Sequence, residues 1–268
     1  MLQRYCFLIP QGVWSITCNT KEGVFIMLKK ILLLLVLFSA AAGFAERTIY
    51  ITRHGQIGDP AIRAFNGEHA LTELGKQQAK QLGGYLKSKK FKGVIYSSPL
   101  YRTMQTSEII AKINRCSIVI DPGLQEYAPI FPERNNGKYG ICAEGCNQSE
   151  IKKIFPQVTL SARFTYPWRV MNEPEKMRHE RSEKTLNAIL AETRGDVLLV
   201  GHSATVKSLM FVLSKRSAKP ITAIPWNCCL LTVTLDDNQN VTGCTVETGR
   251  FLKPEQTTNN FRNSLFSK

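Results

Sequence analysis

"VLLVGHSATV", Val197 to Val206, is an apolar run that breaks at Gly-His-Ser and resumes with helical character. Two readings compete. In one, Ser203 sits on a strand-to-helix turn as the nucleophile of a serine hydrolase. In the other, His202 is the working residue and Ser203 a turn or helix-cap residue. A nucleophile elbow is Gly-x-Ser-x-Gly, whereas this chain has Gly201-His202-Ser203-Ala204-Thr205, without the final glycine. In the hydrolases that use this elbow, the catalytic histidine follows the serine in the chain. The histidines here are His54, His69, His179 and His202, and none follows Ser203. A triad is defined by geometry, so an upstream histidine is conceivable. The elbow's own order cannot be completed, however, so the serine-hydrolase reading is disfavoured and His202 is the residue to explain.

Working outward, strands alternate with helices. "RTIYIT" (Arg47 to Thr52), "GVIYSS" (Gly93 to Ser98), "SIVID" (Ser117 to Asp121) and "DVLLV" (Asp196 to Val200) are short β-branched and apolar runs that predict four strands. Thr72 is a candidate N-cap for "ELGKQQAKQLGGYLKSKK", with Leu74, Ala79, Leu82 and Leu86 at helical spacing. Gly83-Gly84 weakens that helix. A second helix is predicted from Pro99 through Ile113, a long amphipathic one from Glu173 to Glu192, and another over Thr205 to Ser214. "CLLTVTL" (Cys229 to Leu235) and "TGCTVET" (Thr242 to Thr248) read as a closing hairpin. The stretch from about 124 to 168 is rich in Gly, Pro, Asn, Cys and aromatics, with at most one helix near Ser149 to Phe155. A long segment without clear periodicity inside a domain is usually functional, so it reads as a lid or substrate-recognition insertion.

This alternation predicts an α/β fold, a three-layer α/β/α sandwich with a mainly parallel sheet. Ligands of such sheets bind beyond the C-terminal strand ends. Arg53-His54-Gly55 follows the first strand, Arg102 lies one turn inside the helix after the second, Glu126 follows the third, and His202 the fourth. Each alone is weak: a lone arginine on a helix is usually a surface residue, and a lone histidine at a strand end is more often packed than catalytic. Together they fit phosphoryl transfer. A neutral imidazole can attack phosphorus and hold it covalently. The transferred group needs fixed cations, which Arg53 and the bidentate guanidinium of Arg102 supply, with His202 as a further donor. The leaving oxygen needs a proton, for which Glu126 is the candidate.

"YITRHGQ", "LTELGKQQAKQLGGYL", "VIYSSPLYRTMQTSEIIA", "GLQE" and "VLLVGHSATV", in that order, resemble the histidine phosphatase superfamily, the phosphoglycerate mutase-like proteins. The resemblance runs from about Thr48 to Ser214 and is to the mutase-type branch, since the acid-phosphatase branch carries His-Asp at the second histidine. It implies that His54 accepts the phosphoryl group, that Arg53, Arg102 and His202 form the phosphate pocket, that Glu126 is the proton donor, and that no metal or organic cofactor is used. Departures exist. Gly201-His202-Ser203 stands where the family often has Ser-His-Gly. Arg63, Asn66 and Gly67 look like substrate-loop residues at shifted offsets. The family's Gly- and Trp-rich sequence after the acid is absent, and Glu133 is an alternative acid.

The formal charge of +14 favours anionic partners. No basic block interleaved with aromatics points to nucleic acid. From Met27, "MLKKILLLLVLFSAAAGFAERT" has the basic, apolar and small-residue regions of a signal peptide, with cleavage expected after Ala45. Its apolar core is shorter than the roughly 20 residues of a span. Residues 1–26 then read as a misassigned start or a disordered extension, 27–45 as the signal, and 46–268 as one domain exported to a periplasmic or extracellular space. The only membrane involvement expected is the export signal itself. Six cysteines follow Ala45, and an even count outside the cytoplasm suggests one or two disulfides, Cys142 with Cys146 closing a small loop among the pairings. The expected function is hydrolysis of a small phosphomonoester through phospho-His54. The alternatives are a phosphoglycerate mutase-like phosphotransferase and a non-catalytic phosphate-binding module.

Overall fold

The computed structural model divides into two units, Met1–Ala45 and Glu46–Lys268. It describes residues 5–9, 12–16, 46–58, 69–126, 143–166, 168–170 and 173–258. In the first unit, β1 (Tyr5–Ile9) and β2 (Gly12–Ile16) pair antiparallel, with Ile9 opposite Gly12. This pair lies within the segment 1–26. The expected signal, 27–45, lies outside the described residues. So do Arg63, Asn66, Gly67, Glu133, Cys142 and most of the middle of the 124–168 insertion.

In the second unit, the sheet forms from runs that are apolar on both faces. β3 (Arg47–Arg53) sends Tyr50 into one core and Ile49 and Ile51 into the other. β9 (Val197–Gly201) divides likewise, Leu198 and Val200 against Val197 and Leu199. Period-two alternation with both faces buried is what a sheet between two helical layers requires. α1 (Glu73–Ser88) and α2 (Tyr101–Asn114) cover the first face through Leu82, Leu86, Met104 and Ile110. α4 (Glu175–Glu192) and α5 (Ser203–Ser214) cover the second through Leu186, Ile189, Leu209 and Leu213. The three-layer α/β/α sandwich is therefore present.

Seven strands make the sheet. With β4 (Val94–Ser97), β5 (Ile118–Ile120), β7 (Thr159–Leu160), β10 (Leu231–Leu235) and β11 (Val241–Val246), the order is β11-β10-β3-β9-β4-β5-β7. The β3-β9-β4-β5-β7 block is parallel, and the β10–β11 hairpin joins it antiparallel through β10 to β3. The four strands expected from sequence are thus neighbours, and their C-terminal ends lie side by side. The insertion contains α3 (Gln148–Ile154), β6 (Ala143–Glu144) pairing with β8 (Arg169–Val170), and β7. The sequence gives no warning of β7: its two ladder residues are too short a run to show alternation, and pairing with β5 supplies what propensity does not.

Boundaries shift where backbone geometry decides. The helix expected from Pro99 begins at Tyr101, because Leu100 is still extended at its N-cap. α1 ends at Ser88, since Lys90 takes a left-handed φ of 59°. Thr72 caps α1, its hydroxyl accepting from the Gly75 N–H at 2.9 Å. Ser203 does not cap α5; His202 is the capping residue, and Ser203 opens the helix.

The disulfide expectation is corrected where it can be read. Cys116, Cys228, Cys229 and Cys244 carry free thiols. Cys228 and Cys229 are chain neighbours that point into opposite cores, Cys116 follows α2, and Cys244 lies on the outer strand β11. Among the described residues no helix is long and apolar enough to cross a membrane, and no group of three or more His, Cys, Asp or Glu is placed to hold a metal ion.

Candidate active site

The crevice is built at the ends of β3, β9 and β4. Gly201 O accepts from His54 N at 3.0 Å and Val200 O from Ser98 N at 3.0 Å, so the sheet ladder runs straight into the site. Arg53, His54, Arg102 and His202 are all buried there, none more than 4% exposed. The two imidazoles meet edge to face, with ring centroids 5.2 Å apart.

Hydrogen bonds fix both tautomers. His54 Nδ1 lies 2.7 Å from Gly55 O, and a carbonyl only accepts, so Nδ1 carries the proton. Nε2 is then the bare nitrogen, and Arg102 Nε donates to it at 3.2 Å. The same guanidinium donates through Nη2 to His202 Nδ1 at 3.1 Å. His202 must therefore hold its proton on Nε2, which faces Ser98 Oγ at 2.9 Å. Burial holds the pKa of both rings well below the ordinary histidine value, and the charges of Arg102 and Arg53 push the same way. Both histidines are neutral at pH 7. For His54 this is the state a nucleophile needs.

Arg53 donates from Nη1 to Pro225 O at 2.8 Å. Burial lowers its pKa, and the nearby Glu126 carboxylate opposes that. Glu126 sits by the start of α5, its Oε2 accepting from Ala204 N at 3.4 Å. Its strand-end turn is held from behind. Arg181 of α4 donates to Gly123 O at 2.7 Å and Gln125 O at 3.2 Å, while bound to Glu173 by paired contacts. Thr205 Oγ1 donates to Gln125 O at 3.0 Å.

All five residues expected from sequence are thus placed: four around one point, and Glu126 at the rim beside Arg53. Others were missed. Ser98 binds His202 and sits at a strand end, where the same rule that found His54 would have found it. The His54–Gln56 backbone is gripped by Thr106, whose Oγ1 accepts from Gly55 N at 3.1 Å, and by Gln78, whose Oε1 accepts from Gln56 N at 2.8 Å. Asn227 Nδ2 donates to His54 O at 3.0 Å. These last contacts leave no sequence signature, because backbone partners are not encoded by residue type. His69 is buried close enough to add a weaker repulsion to His54 protonation.

Comparison with known proteins shows the family. The sequence profile described as "Histidine phosphatase superfamily (branch 1)" matches residues 49–246. The chain belongs to that superfamily. One relative, "Probable phosphoglycerate mutase GpmB" of Erwinia tasmaniensis, is 44% identical over 80 residues, 29% of this chain and 37% of that protein. The "6-phosphofructo-2-kinase/fructose-2,6-bisphosphatase" of Aquarana catesbeiana is 25% identical over 207 residues, 75% of this chain and 39% of that protein. The chain thus spans well under half the length of the curated relatives it matches. A solved structure, the ecdysone phosphate phosphatase from Bombix mori in complex with tungstate, shares the fold. Its TM-score is 0.55 at 18% identity, covering 81% of this chain and 96% of that one. Within this histidine phosphatase, the residues at the sheet's end lie inside the matched range, and Gln256 to Thr258 lie beyond it.

Proposed function

We propose that this histidine phosphatase is a phosphomonoester hydrolase that works through a phosphohistidine on His54. The observation that carries this reading is the state of His54: buried, neutral, Nδ1–H held by Gly55, and Nε2 facing the Arg102 guanidinium. A phosphoryl group entering the crevice takes over the donors of Arg102, which frees the Nε2 lone pair. Nε2 then attacks phosphorus in line. The P–N bond forms, the bond to the ester oxygen breaks, and that oxygen takes the proton of Glu126. Water attacks the phosphohistidine, the P–N bond breaks, and Glu126 regains a proton. Arg53 and Arg102 stabilise the equatorial oxygens throughout, and His202 joins them when its Nε2–H turns from Ser98 to the phosphate.

His54→Ala is expected to abolish turnover of p-nitrophenyl phosphate with an unchanged circular dichroism spectrum. Undiminished turnover would end the reading. Acid-labile capture of label from a phosphoester on His54 separates an enzyme from a phosphate-binding module. The similarity to proteins named as mutases keeps phosphotransfer to a second hydroxyl as the alternative. It is distinguished by whether the label ends in inorganic phosphate or in an added phosphoglycerate acceptor.

The substrate class proposed is a small phosphorylated molecule, which suits a crevice with three fixed cationic or donor groups. Export through the 27–45 segment is part of the same reading and rests on that segment's basic, apolar and small-residue order. N-terminal sequencing of the secreted protein should return Glu46 first. A retained upstream segment would refute it.

A further inference from the structure

We infer that Thr258 is a positioning residue for His54. It lies twelve residues beyond the family-matched range, which ends at 246, so the inference concerns this chain's own C-terminal segment. It deepens the reading of His54 as phosphoryl acceptor and rests on it for its meaning in catalysis. The placement of His54 can be read without it.

Three buried side chains, Gln78, Thr258 and Asn227, form a relay whose direction is set at one end. A backbone N–H can only donate, so Gln56 N–H (2.8 Å) assigns the receiving atom of Gln78 as Oε1. The amide nitrogen of Gln78 must then face the other way. It donates to Gln256 O at 2.6 Å and to Thr258 Oγ1 at 2.9 Å. The Thr258 hydroxyl, accepting from Gln78, gives its one proton to Asn227 Oδ1 at 3.1 Å. That assigns the Asn227 amide nitrogen to His54 O, at 3.0 Å. Gln78, Asn227 and Thr258 are at most 1% exposed, so water does not substitute for a missing link. The backbone closes the loop: Asn227 N donates to Thr258 O at 2.9 Å, and Cys228 N to His54 O at 3.3 Å.

The relay therefore ends on both sides of Gly55, at His54 O and Gln56 N. Gly55 O is the acceptor that holds the proton on His54 Nδ1. Thr258 acts at the middle link. Without its hydroxyl, Asn227 Oδ1 loses this donor and Gln78 Nε2 loses this acceptor, so the two side chains that grip the peptides on either side of Gly55 are held less firmly. The peptide that selects the nucleophile's tautomer then loosens. Arg102 and His202 are held by α2 and by the start of α5, so these phosphate donors stay in place and the loss falls mainly on the chemical step.

The test compares Thr258→Val with Thr258→Ser in the full-length protein. With p-nitrophenyl phosphate, Thr258→Val should lower kcat about tenfold with KM within about twofold, an effect in the range of small misplacements at a reacting group. Thr258→Ser should restore kcat to within about threefold of the parent. Spectra of ¹⁵N-histidine, taken without substrate, should show His54 as a single Nδ1–H tautomer in the parent and the serine variant, and as a mixture in Thr258→Val. An unchanged kcat together with an unchanged His54 spectrum would overturn the inference, as would a serine variant as impaired as the valine one. If Thr258→Val does not fold, Gln78→Glu breaks the same relay, because a carboxylate draws the Thr258 proton away from Asn227. A His54 spectrum unaltered by Gln78→Glu overturns the inference. Should the parent turn over no phosphoester at all, the proposed function fails, and the ¹⁵N spectra still decide the role of Thr258.

Discussion

At the scale of single residues, the site is a set of neutral rings held between fixed cations. The pKa of His54 and of His202 lies well below 6.5, through burial first and the arginines second. Both rings should therefore show no protonation in an NMR titration from pH 7.5 to 6, whereas an exposed histidine passes its midpoint there. A midpoint near 6.5 for His54 would contradict the burial. Arg102 touches both rings, so Arg102→Ala removes a phosphate donor and the group that organises the two imidazoles. A drop in kcat/KM of about 10²–10³ is expected, the cost of losing one oxyanion donor elsewhere. Ser203→Ala should retain most activity, since Ser203 only opens α5. Glu126 is distinguished by leaving group. Glu126→Gln should slow hydrolysis of alkyl phosphates far more than of p-nitrophenyl phosphate, whose phenolate leaves without a proton. Equal losses on both would remove Glu126 as the acid.

At the scale of elements, the sequence was legible where burial enforces a period. β3, β4, β5 and β9 each show an apolar run, and each run became a strand. The strand-end rule then placed Arg53, His54, Arg102 and His202 together. Legibility failed where a contact decides alone. β7 exists because β5 offers an edge, and Thr258 reaches the site through a loop with no pattern. The two glycines of α1 show the same contrast. A Cβ on Gly83 would lie 2.8 Å from Ile113 Cδ1, so this glycine, read from sequence as a weakness, allows α1 to approach α2. A Cβ on Gly84 meets nothing within 4 Å, so Gly84→Ala should stabilise the protein by about 0.5–1 kcal/mol. Gly75 is the opposite case, because its Cβ would sit 2.1 Å from Gln56 O, in the catalytic loop. Gly75→Ala should lower both the urea midpoint and the turnover. An active, undisturbed Gly75→Ala protein would show that α1 and the His54 loop are not in close contact.

At the scale of the whole molecule, the buried histidines link stability to pH. As pH falls below about 6.5, unfolded chains take up protons that the folded rings refuse, so stability declines until the folded pKa is reached. Each ring contributes about 1.4 kcal/mol per pH unit within that window. The urea midpoint should be lower at pH 5.5 than at pH 7, and His202→Gln should reduce the difference. A midpoint independent of pH would mean the folded rings titrate normally. The separations along the chain are equally telling. Arg53 meets Pro225 across 172 positions, and Gln78 meets Thr258 across 180. Contacts that distant close slowly, because loop entropy is spent before they form. A chain that has made its nucleophile, both arginines and the second histidine therefore still lacks the contacts to Pro225 and Thr258 that brace the His54 loop.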